Sequence, residues 1–353
     1  MTDMYKICIF NPVPVRFDET YLDRALGGSE TWTIQLSDAF SKLGNDVWVI
    51  NNCEISHTSR TGVNYISFSD LNRLSGMKFD FIITSRMCRD CFRVFSYFKC
   101  SDCIFLHLHD PHPLDITDDI KADPRLRQVV CLTKWHKHNV VENDGISENN
   151  VSIIPNGIDP ILFDGMDVVK DHDNSILWSS CFDRGLKILV EDVAPIVRYK
   201  IPEFKVYCAS YSQNSDEIAN GLGNIEYLHG LSKKDLYKEM YKHAVWFFPS
   251  INDETFCITA IENMMAGNNV VMFPQYGTTE YTDLIDPLSM SFSSDSTYEL
   301  ACEEAAERIV GYIYNFNSEE QINMRKKAKG FVLENFTWDV TARKYLDLFD
   351  RVR

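Results

Sequence analysis

Short apolar runs alternate with amphipathic helical patterns along most of the chain. Between the runs, apolar residues recur at helical spacing, whereas the runs themselves have the length of buried strands. Strands that alternate with helices in this way predict a doubly wound α/β fold with a parallel sheet. In the first half the predicted strands are Tyr5–Phe10, Val47–Asn51, Val63–Ser67, Phe79–Thr84, Cys103–Leu108, Val129–Leu132 and Val151–Ile154.

The same alternation begins again after a polar stretch and predicts a second sheet. At 353 residues the chain is long enough for two domains with separate cores. The polar residues from Asp164 to Asn174 are the predicted linker, which divides the chain into domains 1–168 and 169–336. Predicted elements of the second half are the strands Ile176–Ser180, Phe204–Ala209 and Val245–Phe248, the helices Tyr298–Tyr314 and Ser318–Asn335, and a final amphipathic helix reaching Val352.

The charge balance argues against large anionic partners. The net charge is −16, and residues 1–165 (16 basic, 22 acidic) and the remainder (19 basic, 29 acidic) are both negative. A basic footprint for nucleic acid is therefore missing, and nucleic acid is not an expected partner. One local cluster leaves at most a peripheral membrane contact open. It consists of Arg86, Arg89, Arg93 and Lys99.

The cysteines and the N-terminus predict a cytoplasmic protein. No apolar run is long enough to span a membrane, and the N-terminus enters a strand almost at once, without the pattern of a signal peptide. Eleven cysteines in a large chain indicate reduced thiols. The pairs Cys88-x-x-Cys91 and Cys100-x-x-Cys103 resemble zinc ligands, but they fall on helix and strand patterns, so we expect no zinc there.

The stretch Trp246–Gly267, WFFPSINDETFCITAIENMMAG, combines a buried strand, a polar turn and a helix. Turns of this kind lie at the carboxyl edge of a parallel sheet, where ligands bind. Glu254 precedes the helix and Glu262 lies about two turns inside it. The helix start suits a phosphate, and the two carboxylates suit hydroxyls on either side of a diphosphate. From the spacing alone, an interaction of Glu254 with the helix dipole and a solvated Glu262 explain the pattern better than a binding site does.

The letters from Glu254 to Glu262 resemble the E-x7-E signature of retaining glycosyltransferases with the GT-B fold, particularly family 4. Similar motifs cover most of the chain. They are Met264–Gly267, Val270-Val271, Gly277–Glu280, the Gly27-Gly28-x-Glu30 loop, the pair His109-Asp110, and the IPNGID segment Ile154–Asp159.

The resemblance implies two Rossmann-like domains that face a cleft, with the final helix, 337–353, crossing back onto the first domain. The first domain then holds the acceptor and the second the nucleotide-sugar. The implied activity is transfer of a sugar from a UDP- or GDP-sugar to a glycan, lipid or protein-linked acceptor, with retention of configuration. The family requires no metal, and we expect no cofactor.

Carried over to this sequence, the resemblance assigns Glu254, His109 and Arg184 to the reaction centre. Glu254 orients the donor sugar, His109 contacts it, and Arg184 stabilises the diphosphate. The chain departs from the family because Ser179 or Ser180 stands where an arginine is usual. Lys187 or backbone amides are candidates to compensate. The donor-binding candidates are Gly27, Gly28, Arg184, Lys187, Ser210, Tyr211, His229, Gly230, Thr255, Phe256, Cys257, Ile258, Thr259 and Glu262.

Several other functions are weighed against this one. The G-x-G-x-x-G fingerprint is not present, which argues against an NAD-dependent dehydrogenase. Asp171-x-Asp173 spells the metal-binding D-x-D of other transferases but lacks a preceding apolar strand, so we interpret it as linker. His107 is interpreted as a core histidine. The remaining alternatives are a GT-B epimerase or phosphorylase, and a catalytically silent protein that binds nucleotide-sugars or acts as a scaffold.

Overall fold

The computed structural model describes residues 4–24, 26–209, 225–249 and 251–353. The chain forms two compact units. The first comprises Met1–Leu22, Leu26–Gly157 and Thr337–Arg353, and the second comprises Asp23–Ala25 and Ile158–Phe336. Among the described residues, no helix has both the length and the apolar character needed to cross a membrane.

The first unit contains an eight-stranded sheet in the order β3-β4-β2-β1-β5-β6-β7-β8. All neighbours are parallel except the short pair β3 and β4. The strands are β1 Lys6–Phe10, β2 Asp46–Asn51, β3 His57–Thr58, β4 Asn64–Ser67, β5 Phe81–Ser85, β6 Ile104–His107, β7 Leu126–Cys131 and β8 Val151–Ile153. The helices between them are α1 Gly28–Lys42, α2 Cys88–Phe98, α3 Asp118–Lys121 and α4 Lys134–Asp144.

Both faces of this sheet are buried, because alternate residues of each strand enter different cores. In β1, Ile7 and Ile9 belong to one hydrophobic cluster, whereas Cys8 and Phe10 belong to the other. This arrangement explains why the parallel strands are continuous apolar runs rather than alternating ones.

The final helix, α10, spans Trp338–Val352 and completes one of these two cores. Its Phe349 is fully buried and stacks on Phe81 of β5, with ring centroids 4.0 Å apart. One turn earlier, the hydroxyl of Tyr345 lies 2.7 Å from Nδ1 of His107 in β6. The helix therefore belongs to the first unit although it follows the second in the chain.

The second unit contains a five-stranded parallel sheet in the order β11-β10-β9-β12-β13. The strands are β9 Asp173–Trp178, β10 Lys205–Cys208, β11 Ile225–Tyr227, β12 His243–Phe248 and β13 Asn269–Met272. The helices are α5 Ala194–Lys200, α6 Lys233–Tyr241, α7 Ile258–Met265, α8 Tyr298–Tyr314 and α9 Glu319–Asn335. Strand β12 has a neighbour on each side and every one of its residues is buried, as its apolar sequence predicts.

The predicted strands of both halves are confirmed, and the segment that begins at Phe182 forms an irregular helix. A 3-10 turn at Phe182–Arg184 is followed by π-helix at Ile188–Val193, and regular α-helix begins only at Ala194. Pro195 stands at the start of that helix. It has no backbone N–H to give to the preceding turn, so a regular α-helical ladder cannot run through this position.

The change from the first unit to the second occurs after Gly157, earlier than the boundary predicted after residue 168. Two apolar residues fix the intervening segment to the second unit. The ring of Phe163 stacks on Tyr237 of α6 at 4.2 Å, and Val168 is 3% exposed. The predicted linker, Asp164–Asn174, is thus partly packed, because Val168 within it and Phe163 just before it are buried.

Lys170, in the same segment, is buried, and its amino group is hydrogen-bonded to two uncharged oxygen atoms. Its Nζ donates to the carbonyl of Ala266, 2.9 Å away, and to Oδ1 of Asn268, 2.6 Å away. Burial, together with the nearby charges of Arg325 and Lys329, lowers the pKa of Lys170 from the ordinary 10.5 to about 6.

We predict that Lys170 makes the free energy of unfolding rise with pH from about pH 6 upwards. In this range the unfolded chain holds a proton that the folded chain has released, so the contribution approaches about 1.4 kcal/mol per pH unit. Lys170→Gln keeps a hydrogen-bond donor but cannot titrate. The measurement is urea unfolding of both proteins at several pH values between about 6.5 and about 8.

The free energy of unfolding of the wild type should rise relative to that of Lys170→Gln as the pH increases. Lys234→Gln, which removes an exposed lysine, is the control and should leave the pH dependence unchanged. A constant difference between wild type and Lys170→Gln across this range would contradict the prediction.

Candidate functional site

The turn between β12 and α7 is held in shape by its own acidic residue. Oε1 of Glu254 accepts hydrogen bonds from the backbone N–H of Phe256 at 3.4 Å and of Cys257 at 3.2 Å. The carbonyl of Glu254 accepts a third from the N–H of Gly277 at 2.8 Å. The buried hydroxyl of Tyr281 donates to the carbonyl of Phe256. Side chain and backbone together therefore fix where this carboxylate lies.

Helix α7 begins directly after this turn without a capping side chain among the described residues. Cys257 adopts a left-handed conformation, φ +63°, which lets the chain enter the helix abruptly. Burial raises the pKa of the Cys257 thiol well above its ordinary value, so the side chain is a neutral thiol. An uncapped helix start carries unpaired N–H groups and a partial positive charge, which favour an anion.

The neighbouring candidates of this turn differ in exposure. Thr255 and Phe256 are buried, so they can contact a nucleotide-sugar only through their backbone atoms. Ile258 and Thr259, in the first turn of α7, are half-buried. The side chains of Ile258 and Thr259 are therefore the ones partly open to solvent at the helix start.

Arg184 lies beside Glu254, so the structure brings two predicted reaction-centre residues together. Its Nη1 is 3.4 Å from Oε2 of Glu254, and the side chains are 33% and 19% exposed. Two further contacts bring the loop of Arg184 to the turn. The side chain of Asn252 donates to the carbonyl of Asp183 at 3.2 Å. At Gly185, φ is +110° and a Cβ would lie 2.7 Å from Cγ of Pro249, so only glycine fits.

Lys187 does not join this pair in the structure. Its Nζ lies 3.6 Å from Glu191, one helical turn further along the chain, and its side chain is 74% exposed. The cation of the ion pair at the start of α7 is thus Arg184. No contact in the structure supports the expectation that Lys187 replaces the arginine that is usual in the family.

Glu262 is buried rather than solvated, which excludes the simpler interpretation of its spacing. The residue is 6% exposed. Its Oε1 accepts a hydrogen bond from the hydroxyl of Tyr237 at 2.6 Å and lies 3.4 Å from Nζ of Lys233. Both partners come from α6. The second glutamate is therefore held by a different set of residues from the first.

The other donor-binding candidates of the second unit lie before α6. His229 and Gly230 are exposed in the loop after β11, and the ring of His229 is 4.5 Å from that of Tyr227. Ser210 and Tyr211 lie outside the residues that the structure describes, so their assignments stay predictions.

In the first unit, Gly27 immediately precedes α1, and the carboxylate of Glu30 lies against it. A Cβ on Gly27 would lie 2.4 Å from Oε2 of the buried Glu30, whereas a Cβ on Gly28 would meet nothing within 4 Å. The Glu30 carboxylate therefore packs over Gly27 at the helix start, and Gly28 is exposed.

His109 follows β6, where its ring lies 5.2 Å from Trp32 and 4.6 Å from His107. Burial, and then the neighbouring His107 and Arg86, lower the pKa of His109 well below its ordinary value. Its imidazole is therefore neutral at pH 7, and it is suited to exchange hydrogen bonds with a hydroxyl rather than to neutralise a phosphate. Asp110 pairs with Nε of Arg86 at 2.9 Å.

His107 is fully buried, stacks on Trp32 at 4.3 Å and contacts Tyr345, so the interpretation as a core histidine is confirmed. The four cysteines of the two C-x-x-C pairs do not converge. Cys88, Cys91 and Cys100 pack in one core, and Cys103 packs against the other. Within the described ranges, no group of three or more His, Cys, Asp or Glu side chains is arranged to hold a metal ion.

The sequence analysis did not single out Lys233 and Tyr237. A signal for them exists in the sequence. Ser232 caps α6 by accepting a hydrogen bond from the N–H of Asp235. Lys233 and Tyr237 then stand four residues apart, which places them on one face of that helix. The sequence does not reveal that this face meets α7.

Known proteins resemble this chain in their structures, but comparisons of sequence find no match. No protein-family model matches the chain, and no curated protein matches it in sequence. A glycosyltransferase from Rickettsia africae ESF-5 superimposes with a TM-score of 0.72 at 16% identity, covering 98% of both chains. HepE of Anabaena, in complex with UDP-glucose, gives 0.67 at 14% identity over 98% of this chain and 99% of that one. The chain has the GT-B fold.

A third GT-B structure is the catalytic domain of starch synthase IV from Arabidopsis thaliana, bound to ADP and acarbose. It gives a TM-score of 0.66 at 12% identity and covers 99% of each chain. The fold predicted from the sequence is thereby confirmed.

We predict that Gly277→Ala lowers the free energy of unfolding by about 1–3 kcal/mol or more. A Cβ at this position would lie 2.2 Å from the carbonyl oxygen of Thr255, inside the turn that carries Glu254. Gly311→Ala, in α8, is the matched control, since nothing lies within 4 Å of its Cβ position. The control should be neutral or stabilising by up to about 1 kcal/mol. Equal stabilities of the two variants in urea unfolding would contradict the prediction.

Proposed function

We propose that the chain is a retaining glycosyltransferase of the family 4 type. It transfers a sugar from a UDP- or GDP-sugar to a carbohydrate-type acceptor, carried on a glycan, a lipid or a protein. The observation that carries the proposal is the Arg184–Glu254 ion pair at the uncapped start of α7. A cation, a helix start and a fixed carboxylate within one turn suit a sugar diphosphate.

The diphosphate is assigned to the start of α7 and to Arg184. A guanidinium carries five N–H donors, so Arg184 can bind phosphate oxygens while it keeps its contact with Glu254. As the bond to the sugar breaks, negative charge develops on the leaving diphosphate. Donors that are already in position stabilise that charge without reorganisation, which is the largest contribution expected here.

Glu254 is assigned to the donor sugar. Its Oε1 is occupied by two backbone N–H groups, and Oε2 faces Arg184, so the carboxylate is oriented before a ligand arrives. A fixed negative charge beside the sugar favours the positive charge that the ring gains in the transition state. Glu262 is assigned to the ribose, and His109 stays a predicted contact of the donor sugar.

No metal is needed in this scheme, because Arg184 and the helix start supply the positive charge. Activity should therefore survive EDTA. Loss of turnover with the chelator and its return with Mn²⁺ or Mg²⁺ would show that a metal ion supplies the positive charge.

A peripheral contact with a membrane and a cytoplasmic location stay predictions.

The experiment that tests the proposed function is a thermal-shift screen of the purified protein against UDP-, GDP- and dTDP-sugars, since ligand binding stabilises by mass action. Incubation with candidate acceptors then follows free nucleotide and glycosylated product together. Free nucleotide in step with product supports transfer. An epimerase or phosphorylase gives other products, and a silent binding protein is stabilised but never consumes the donor.

We predict that Arg184→Ala weakens donor binding roughly 10- to 100-fold, because a hydrogen-bonded charge on the diphosphate is lost. Lys187→Ala is the matched control, since Lys187 is exposed and its contact is with Glu191. It should change the dissociation constant by no more than about twofold. The measurement is calorimetric titration with the donor found in the screen. Equal effects of the two substitutions would remove Arg184 from the diphosphate site.

We predict that Glu254→Gln mainly lowers kcat, whereas Glu262→Gln mainly raises KM. The contact of Glu254 strengthens in the transition state, and its loss should cost about 2–4 kcal/mol, or roughly 30- to 1,000-fold in rate. The ribose contact of Glu262 is the same in ground and transition states. The measurement is steady-state kinetics of both variants, which separates the effect on kcat from the effect on KM. A Glu254→Gln enzyme with the kcat of the wild type would refute the assignment of Glu254.

A further inference from the structure

The carboxylate of Glu262 is held through only one of its two oxygens. Oε1 accepts from the hydroxyl of Tyr237 at 2.6 Å and lies 3.4 Å from the ammonium group of Lys233. No hydrogen bond to Oε2 comes from the part of the chain that the structure describes. Oε1 is thus engaged by a hydrogen bond and an ion pair, whereas Oε2 keeps the two acceptor positions that a carboxylate oxygen has.

The two donors reach this oxygen because of where they stand on α6. The helix is capped by Ser232, and Lys233 and Tyr237 follow on one face, four residues apart. Tyr237 is 1% exposed, and its ring is fixed by stacking on Phe163 at 4.2 Å. Burial, and then the charge of Glu262, raise the pKa of Tyr237 well above 10, so the phenol keeps its proton and donates.

Holding Oε1 fixes the rotation of the whole carboxylate. The side chain of Glu262 has several rotatable bonds, and a carboxylate held at one oxygen by a hydrogen bond and an ion pair loses most of that freedom. Oε2 is then presented in a constant direction with two acceptor positions. That number matches the two neighbouring hydroxyls of a ribose, whereas a 2′-deoxyribose offers one fewer.

We propose that Tyr237 and Lys233 are positioning residues that orient Glu262 so that the chain selects ribonucleotides over 2′-deoxyribonucleotides. The inference rests on the proposed function, in which Glu262 faces the ribose of the donor. It goes beyond that function by naming the residues that set the selectivity. It also narrows the donor to ribonucleotide-linked sugars and excludes dTDP-sugars.

The test is calorimetric titration of the wild type and its variants with UDP and 2′-deoxy-UDP, or with GDP and 2′-deoxy-GDP if the protein binds guanine nucleotides. The quantity measured is the ratio of the two dissociation constants. The wild type should prefer the ribonucleotide roughly 10- to 100-fold, as expected for a hydrogen bond to a charged acceptor. Glu262→Gln should bring the ratio close to one.

Tyr237→Phe should lower the ratio several-fold, chiefly by weakening the binding of the ribonucleotide while that of the deoxynucleotide stays nearly unchanged. Tyr241→Phe is the matched control. It removes a hydroxyl from the same helix, but that hydroxyl accepts from the backbone N–H of Asp167 rather than contacting Glu262. A purely structural role of Tyr237 would weaken both nucleotides alike. Lys233→Met, which alters a partly exposed position at the helix start, should lower the ratio as well and carries the test if Tyr237→Phe does not fold.

The outcomes separate this inference from the proposed function. A wild-type ratio in both Tyr237→Phe and Lys233→Met overturns the positioning role, even when nucleotide binds and sugar is transferred. A wild-type protein that binds ribo- and deoxyribonucleotide equally well also overturns it. Absence of binding to any nucleoside diphosphate refutes the proposed function itself, and the inference falls with it.

Discussion

The hydrogen bonds between the Glu254 carboxylate and the backbone of its own turn are the constraint on which the candidate chemistry depends. They hold the residues before α7 in a conformation that ends in the left-handed Cys257, and no side chain of the described residues caps the helix there. A capping side chain would satisfy the same N–H groups that an anion needs. The turn therefore lacks a local source of helix stability and leaves the start of α7 open to the anion that we propose binds there, with its shape maintained by Gly277 and Tyr281.

The sequence predicts the sheets well because burial on both faces leaves a strong pattern. Strands such as β12 are continuous apolar runs, and helix α8 is predicted with the bounds that the structure has, since its apolar stripe is long and regular. The unit boundary is predicted less well, because Phe163 and Val168 are isolated apolar residues whose partners are distant in sequence. Pro195 is a signal in the sequence for the interruption of the helix before it. The π-helical bonding at Ile188–Val193 depends on the backbone, which side-chain periodicity does not record.

In the candidate site, the sequence predicts the features that are formed by residues close together in the chain. The E-x7-E stretch indicates the turn and the helix, and the structure places Arg184 against Glu254. What the sequence leaves out is contact between elements. The exposed position of Lys187 and the buried position of Glu262 follow from how neighbouring elements pack, and the partners of Glu262 come from a separate helix.

The packing of α10 has a consequence for the synthesis of the chain. The first unit is finished only by residues 337–353, which are translated after the whole of the second unit. Until they emerge, the apolar surface that Tyr345 and Phe349 cover stays exposed on the nascent chain. By then the residues of the second unit have all been synthesised. The second unit is therefore expected to complete its core before the first, in the reverse of their order in the sequence.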